Sequence, residues 1–140
     1  VYSDVAEAPP NVEEGLGVEY LQLDSLLEQA DIVPLHVPIN DATRNLIDAR
    51  ALSLMKPTAV RVNTCRGGVI DEPALVSALQ SGEIAFAALD VLAQEPPDRR
   101  NQILNLPNVL LPPHTAGITR DTWARRGVFV YENIDRVRKG

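Results

Sequence analysis

Apolar residues along this chain come in short runs, and most runs stop at a polar residue or a proline before a helical pattern begins. Val1-Tyr2-Ser3-Asp4 reads as the end of a strand, and Val18 to Leu23 alternates apolar and polar positions, the period of a strand with one face in a core. Asp24 then stands before Ser-Leu-Leu-Glu-Gln-Ala, a short amphipathic helix with an acid in the N-cap position. Ile32 to Val37 is the next strand, closed by Pro38 and followed by a turn at Asn40-Asp41-Ala42-Thr43. Asp48 caps a helix through about Met55, Lys56-Pro57 stops it, and Ala59 to Val62 is again a strand. Asp71-Glu72-Pro73 opens a helix with acids and proline in its first turn, and Ser81-Gly82 ends it before the continuous apolar run Ile84 to Leu89. After a loop through Glu95-Pro96-Pro97 and Leu106-Pro107, Val109-Leu110-Leu111 forms one more short strand. Thr119 caps a last helix to about Arg138, with Trp123, Val130 and Ile134 towards its apolar side.

Strands alternating with helices, with runs too apolar to be half solvated, predict a parallel sheet covered on both faces: a doubly wound α/β domain. Two residues strain that pattern. Pro34 would remove a ladder donor inside a strand, and Arg61 would put a charge inside another, which marks either a local bulge and a side chain that snorkels to solvent or a diverged sequence.

Composition narrows the partners. A chain of 140 residues holds one domain of usual size, and 45% hydrophobic residues argue against disorder. A formal net charge of -6 disfavours nucleic acid and anionic membrane, because neutralising phosphate needs a basic patch. The single cysteine, Cys65, excludes an internal disulfide and fits a reducing, cytoplasmic setting. No run approaches the roughly 20 apolar residues of a membrane span, and no charged leader with an apolar core stands at the start. The chain opens without Met, so a fragment is expected.

Polar residues follow the apolar runs with some regularity: Asp4, His36 to Pro38, Thr64 to Arg66, Asp90 and His114. In an open parallel α/β sheet, ligands bind beyond the carboxyl ends of the strands, so these positions predict a crevice along one edge. Arg66, on the loop between Asn63 and Gly67-Gly68, is suited to a carboxylate or phosphate, because its planar fork places two parallel N–H bonds on two oxygens.

Asn63-Thr64-Cys65-Arg66-Gly67-Gly68, Ala88-Leu89-Asp90-Val91, Gln94-Glu95-Pro96 and Pro113-His114-Thr115-Ala116-Gly117, in that order, resemble the D-isomer-specific 2-hydroxyacid dehydrogenases. The resemblance implies a Rossmann-like domain with NAD at its carboxyl edge, residues 1–140 forming part of it. It implies Arg66 as the group that holds the substrate carboxylate, Glu95 as the acid paired with the catalytic histidine, and His114 as the general acid-base. His suits that role because its proton is exchanged near neutral pH. Asp4 matches the acid on the adenosine ribose, and Val37, Thr64, Cys65, Arg66, Asp90, His114, Ala116 and Gly117 match positions lining the cofactor, with Asp90 near the nicotinamide amide. Cys65 is read as packing there rather than as a reactive thiol.

No metal is implied, and the parent protein is expected to be a homodimer acting on a small 2-hydroxy or 2-oxo acid. The phosphate-cradling Gly-x-Gly-x-x-Gly turn would precede Asp4 by about 20 residues. Its absence, and that of a substrate domain, predicts a sheet incomplete at its N-terminal side and a chain inactive by itself. A second reading is an NAD(H)-sensing binding module, since transcriptional co-repressors resemble the same family.

Overall fold

A computed structural model describes residues 1–140. Along the chain run α1 (Pro10–Leu16), α2 (Leu23–Gln29), β1 (Ile32–Leu35), α3 (Ala49–Ser53), β2 (Val60–Asn63), α4 (Glu72–Ser81), β3 (Phe86–Leu89), β4 (Val109–Leu110) and α5 (Arg120–Lys139). One-turn 3-10 helices lie at Gly67–Val69 and Gln102–Asn105. The four strands form one parallel sheet in the order β1-β2-β3-β4.

Local chemistry sets the central helices. The Asp71 carboxylate accepts from Ala74 N at 3.1 Å, Pro73 occupies the first turn of α4, and Gly82 closes the helix in the left-handed region at φ 76°. Asp48 caps α3 in the same way, accepting from Ala51 N at 2.8 Å. Leu75, Val76, Ala78 and Leu79 of α4 and Ala51 and Leu52 of α3 enter one core with Val33, Leu35, Ala87 and Leu89 of the sheet. Each fully buried Leu or Val side chain contributes about 1.5–3 kcal/mol.

The sheet is therefore an α/β Rossmann-like layer, as the alternation predicted, but only one face is packed. Ile32 is 62% exposed on the other face, where Val60, Val62, Phe86 and Ala88 are half-buried. The reason is topological. Strands laid down in sequence order with right-handed crossovers send their connecting helices to the same side.

Three expectations need correction. Val18 to Leu23 is not a strand: only a parallel bridge joins Tyr2 to Tyr20, with the two rings edge-on at 5.6 Å. Asp24 is not the cap of α2. Gln22 stands there without a side-chain cap, and Asp24 lies in the first turn, paired with Arg50 at 2.7 Å. Arg61 does not snorkel. It lies on the packed face of β2, fully buried, with one hydrogen bond from Nη1 to Val33 O at 3.3 Å and no partner for Nε or Nη2. Pro34 does stand within β1, without a bulge in the register. β1 is an edge strand, the place where a missing donor is tolerated. No helix is long and apolar enough to cross a membrane.

Candidate active site

Because the strands are parallel, the residues after β1, β2, β3 and β4 emerge along one edge of the sheet. The loop after β2 is wound around Asn63. This side chain is buried, its Oδ1 accepts from Cys65 N and from the Cys65 thiol, both at 3.1 Å, and its Nδ2 donates to Arg66 O at 3.0 Å. An asparagine that replaces backbone partners in this way fixes a turn. Arg66 is consequently displayed outward. Its Nη1 donates to Cys65 O at 2.6 Å, and its guanidinium forms no ion pair in the chain, leaving it available to an anion. Cys65 is half-buried and packs against the core.

Glu95 and His114, 19 residues apart, meet at 2.7 Å between Oε2 and Nδ1. The other oxygen of Glu95 accepts from Leu92 N at 2.9 Å, so the carboxylate is held from both sides. The hydrogen bond with His114 keeps the Glu95 carboxyl below its ordinary range, with the Leu92 N–H next in weight and the charges of His114 and Arg66 adding to it. With Nδ1 engaged, Nε2 of His114 is the ring nitrogen left for another group. The backbone of His114 sits at φ 54°, a left-handed conformation that few non-glycine residues adopt and that recurs at functional sites.

Asp90 stabilises the same loop from below. It is buried, and its two carboxylate oxygens accept from Thr115 N at 2.7 Å and Ala116 N at 2.8 Å. The residue expected beside the nicotinamide amide thus spends a hydrogen bond from each oxygen on the segment after His114. The structure brings Arg66, Glu95, His114, Asp90 and Ala116 to one edge.

Asp4 makes no contact with them. It is exposed at the far side of the Tyr2 bridge, its Oδ1 accepting from Val5 N at 2.6 Å while Tyr20 donates to its backbone oxygen at 3.3 Å. Val37 is half-buried just past β1, Thr64 is exposed, and a side chain added at Gly117 would meet nothing within 4 Å. The space around Gly117 is open to an incoming molecule.

In the sequence Asn63 stands only as the start of the Arg66 loop and the first residue of a motif. The signal was an amide at the close of an apolar strand, two residues before a loop N–H. Gly67 was read as one of a pair of loop glycines, yet a Cβ there would lie 2.0 Å from both the carbonyl carbon and the oxygen of Leu92. Only glycine lets the Arg66 loop pass against the loop that carries Glu95.

Residues 1–116 match the family model described as the NAD-binding domain of D-isomer specific 2-hydroxyacid dehydrogenases. A glyoxylate reductase of Aeropyrum pernix is 46% identical over 123 residues, 88% of this chain and 37% of that protein. A hydroxypyruvate reductase of Thermotoga maritima is 39% identical over 132 residues, 93% of this chain and 43% of that protein. Among solved structures, the holo form of Rhodotorula graminis D-mandelate dehydrogenase superposes with a TM-score of 0.86 at 37% identity, over 96% of this chain and 39% of that one. The chain thus spans about two fifths of the length of these relatives.

Proposed function

Since the chain belongs to the D-isomer specific 2-hydroxyacid dehydrogenases, in the stretch that forms their NAD-binding domain, we propose that the protein carrying it interconverts a small 2-oxo acid and the corresponding 2-hydroxy acid with NAD, residues 1–140 being part of the cofactor domain. The observation that carries this reading is the 2.7 Å contact of Glu95 with Nδ1 of His114, beside an outward-facing Arg66 that has no acidic partner.

The residues at the edge fit the cofactor. Asp4 offers an exposed carboxylate to a ribose hydroxyl, Thr64 offers an exposed hydroxyl, and the open space at Gly117 admits a ligand close to the backbone. When bound, NADH supplies the hydride that reaches the carbonyl carbon of the 2-oxo acid.

The chain's own side chains supply the rest. Arg66 orients the substrate by its carboxylate with two parallel N–H bonds and balances its charge. His114 delivers a proton from Nε2 to the carbonyl oxygen, which becomes the hydroxyl, and takes it back in the reverse direction. Glu95 holds Nδ1, which fixes the ring and leaves Nε2 facing the substrate. The names of the relatives, glyoxylate and hydroxypyruvate reductases, suggest a substrate with a short carbon chain.

Steady-state reduction of glyoxylate by NADH in the full-length protein tests the reading. His114→Ala and Arg66→Ala are each expected to lower kcat/KM by about 10²- to 10⁴-fold, with NADH binding retained. Wild-type rates in either variant would sink it.

A further inference from the structure

Glu72 directly follows the helix-capping Asp71 as the first residue of α4, and an acid there ordinarily needs no more explanation than the helix dipole. Its contacts are of another kind. Oε2 accepts from Ala93 N at 2.9 Å and Oε1 accepts from Asn101 Nδ2 at 2.7 Å, partners 21 and 29 residues further along the chain. Both oxygens are therefore committed to the loop that leaves β3, and neither to the first turn of α4.

That loop carries Glu95. Leu92, immediately before the tethered Ala93, donates its N–H to Glu95, and its carbonyl lies against Gly67 so closely that no Cβ fits between them. Asn63, Gly67, Glu72 and Val91 line one small pocket where the β2 turn, the start of α4 and the β3 loop converge. The Arg66 loop and the Glu95 loop are thus locked together at two points, a backbone contact at Gly67 and a carboxylate clamp at Glu72.

From this we infer that Glu72 is a positioning residue: through Ala93 and Asn101 it holds the 91–101 loop so that Glu95 stays on Nδ1 of His114 at a fixed place relative to Arg66. The inference rests on the dehydrogenase reading given above. A bound 2-oxo acid would be held by Arg66 at its carboxylate and by His114 at its carbonyl oxygen. The spacing of those two groups is then a catalytic variable, and a misplacement of about 1 Å is worth about 10²-fold in rate.

The test compares wild type, Glu72→Ala, Glu72→Gln and Asn101→Ala in the full-length protein, with glyoxylate and NADH across pH. Glu72→Ala is expected to lower kcat by about 10- to 100-fold with a smaller change in KM, and to move the acidic limb of the kcat profile to higher pH. The limb moves because the Glu95 carboxyl, kept below its ordinary range by the hydrogen bonds from His114 and Leu92 N, protonates more readily once the loop no longer holds it there. Glu72→Gln keeps one acceptor for Ala93, and Asn101→Ala removes one of the two partners, so both should fall between wild type and Glu72→Ala. A purely structural role would reduce the active fraction equally at every pH and leave the limb where it was, and that result in folded Glu72→Ala would overturn the inference, as would wild-type kinetics. Should Glu72→Ala fail to fold, Glu72→Gln and Asn101→Ala decide by the same criterion. A wild-type protein that reduces no 2-oxo acid would overturn the dehydrogenase reading and this inference together, whereas an active wild type with an unmoved profile in the variants removes this inference alone.

Discussion

Two polar side chains two residues apart on β2 are both buried, and they meet opposite fates. Asn63 makes three hydrogen bonds and winds the Arg66 loop, whereas Arg61 makes one and leaves Nε and Nη2 without partners. Burial, with no acid nearby, pushes the Arg61 guanidinium down to about 10, the Cys65 thiol being the only group that favours its charge. A cation whose proton is held less tightly in the folded state than in the unfolded chain destabilises the fold at neutral pH, and the penalty is relieved only as pH climbs past about 10. Replacing a buried ion by an apolar side chain of similar volume is often worth about 1–4 kcal/mol. Arg61→Met is therefore expected to raise the free energy of unfolding by an amount in that range, measured by denaturant titration at pH 7. Equal or lower stability in Arg61→Met would mean that the guanidinium is compensated. In the sequence this residue stood out as a charge in a strand that should be buried, but its fate was not legible there. Whether a long side chain escapes to solvent depends on what packs over it, and α3 and α4 are placed by contacts that the local pattern does not contain.

At the scale of elements, legibility followed capping chemistry. α3, α4 and α5 begin at Asp48, Asp71 and Thr119, each accepting a backbone N–H three residues on, and α4 ends at a glycine in the left-handed region. These signals are local, so the sequence displays them. Alternation over 18–23 reports only a potential face, and no neighbouring strand is there to pair with it beyond the single bridge at Tyr20. The Glu95–His114 and Asp90–Thr115 contacts bridge 19 and 25 residues, a separation at which periodicity is silent. Those residues were found through motif resemblance, and their mutual geometry only in the fold. α5 is a separate case. Its 20 residues were predicted with the right cap, but none is buried, and Trp123, Val130 and Ile134 are 61%, 53% and 64% exposed. An isolated helix of this kind is marginal, since most helical stability comes from packing an apolar face. In this 140-residue chain, backbone amides of α5 should exchange with solvent much faster than those of α4, whose Leu75, Val76, Ala78 and Leu79 are in the core. Mass-spectrometric hydrogen exchange reads this directly, and equal protection of the two helices would contradict it.

Over the whole molecule, the parallel sheet brings the residues after its strands to one edge, whereas Asp4 lies apart from that edge beside the Tyr2–Tyr20 bridge. The chain carries a formal net charge of -6, so its general field already opposes a further phosphate, but that field is screened over about 8–10 Å in physiological salt. Discrimination between NADH and NADPH has to come from a local group. Asp4 is the candidate, because it is exposed, held in place by Val5 N and by the Tyr20 hydroxyl on its own carbonyl, and carries no cationic partner. Two unit charges about 4 Å apart interact by about 1 kcal/mol in water and about 4 kcal/mol at the effective dielectric of a protein surface. Even the lower end approaches the 1.4 kcal/mol that corresponds to a tenfold preference. A carboxylate that accepts from the ribose hydroxyls would add to this by favouring the unphosphorylated cofactor directly. The full-length protein is therefore expected to use NADH with a higher kcat/KM than NADPH, and Asp4→Ala is expected to narrow that ratio by about tenfold or more without changing the KM for the 2-oxo acid. Rates with both cofactors, in wild type and variant, check the expectation. Were the ratio unmoved by Asp4→Ala, the carboxylate would not lie at the ribose, and a wild type that prefers NADPH would assign the adenosine end of the cofactor to other residues altogether.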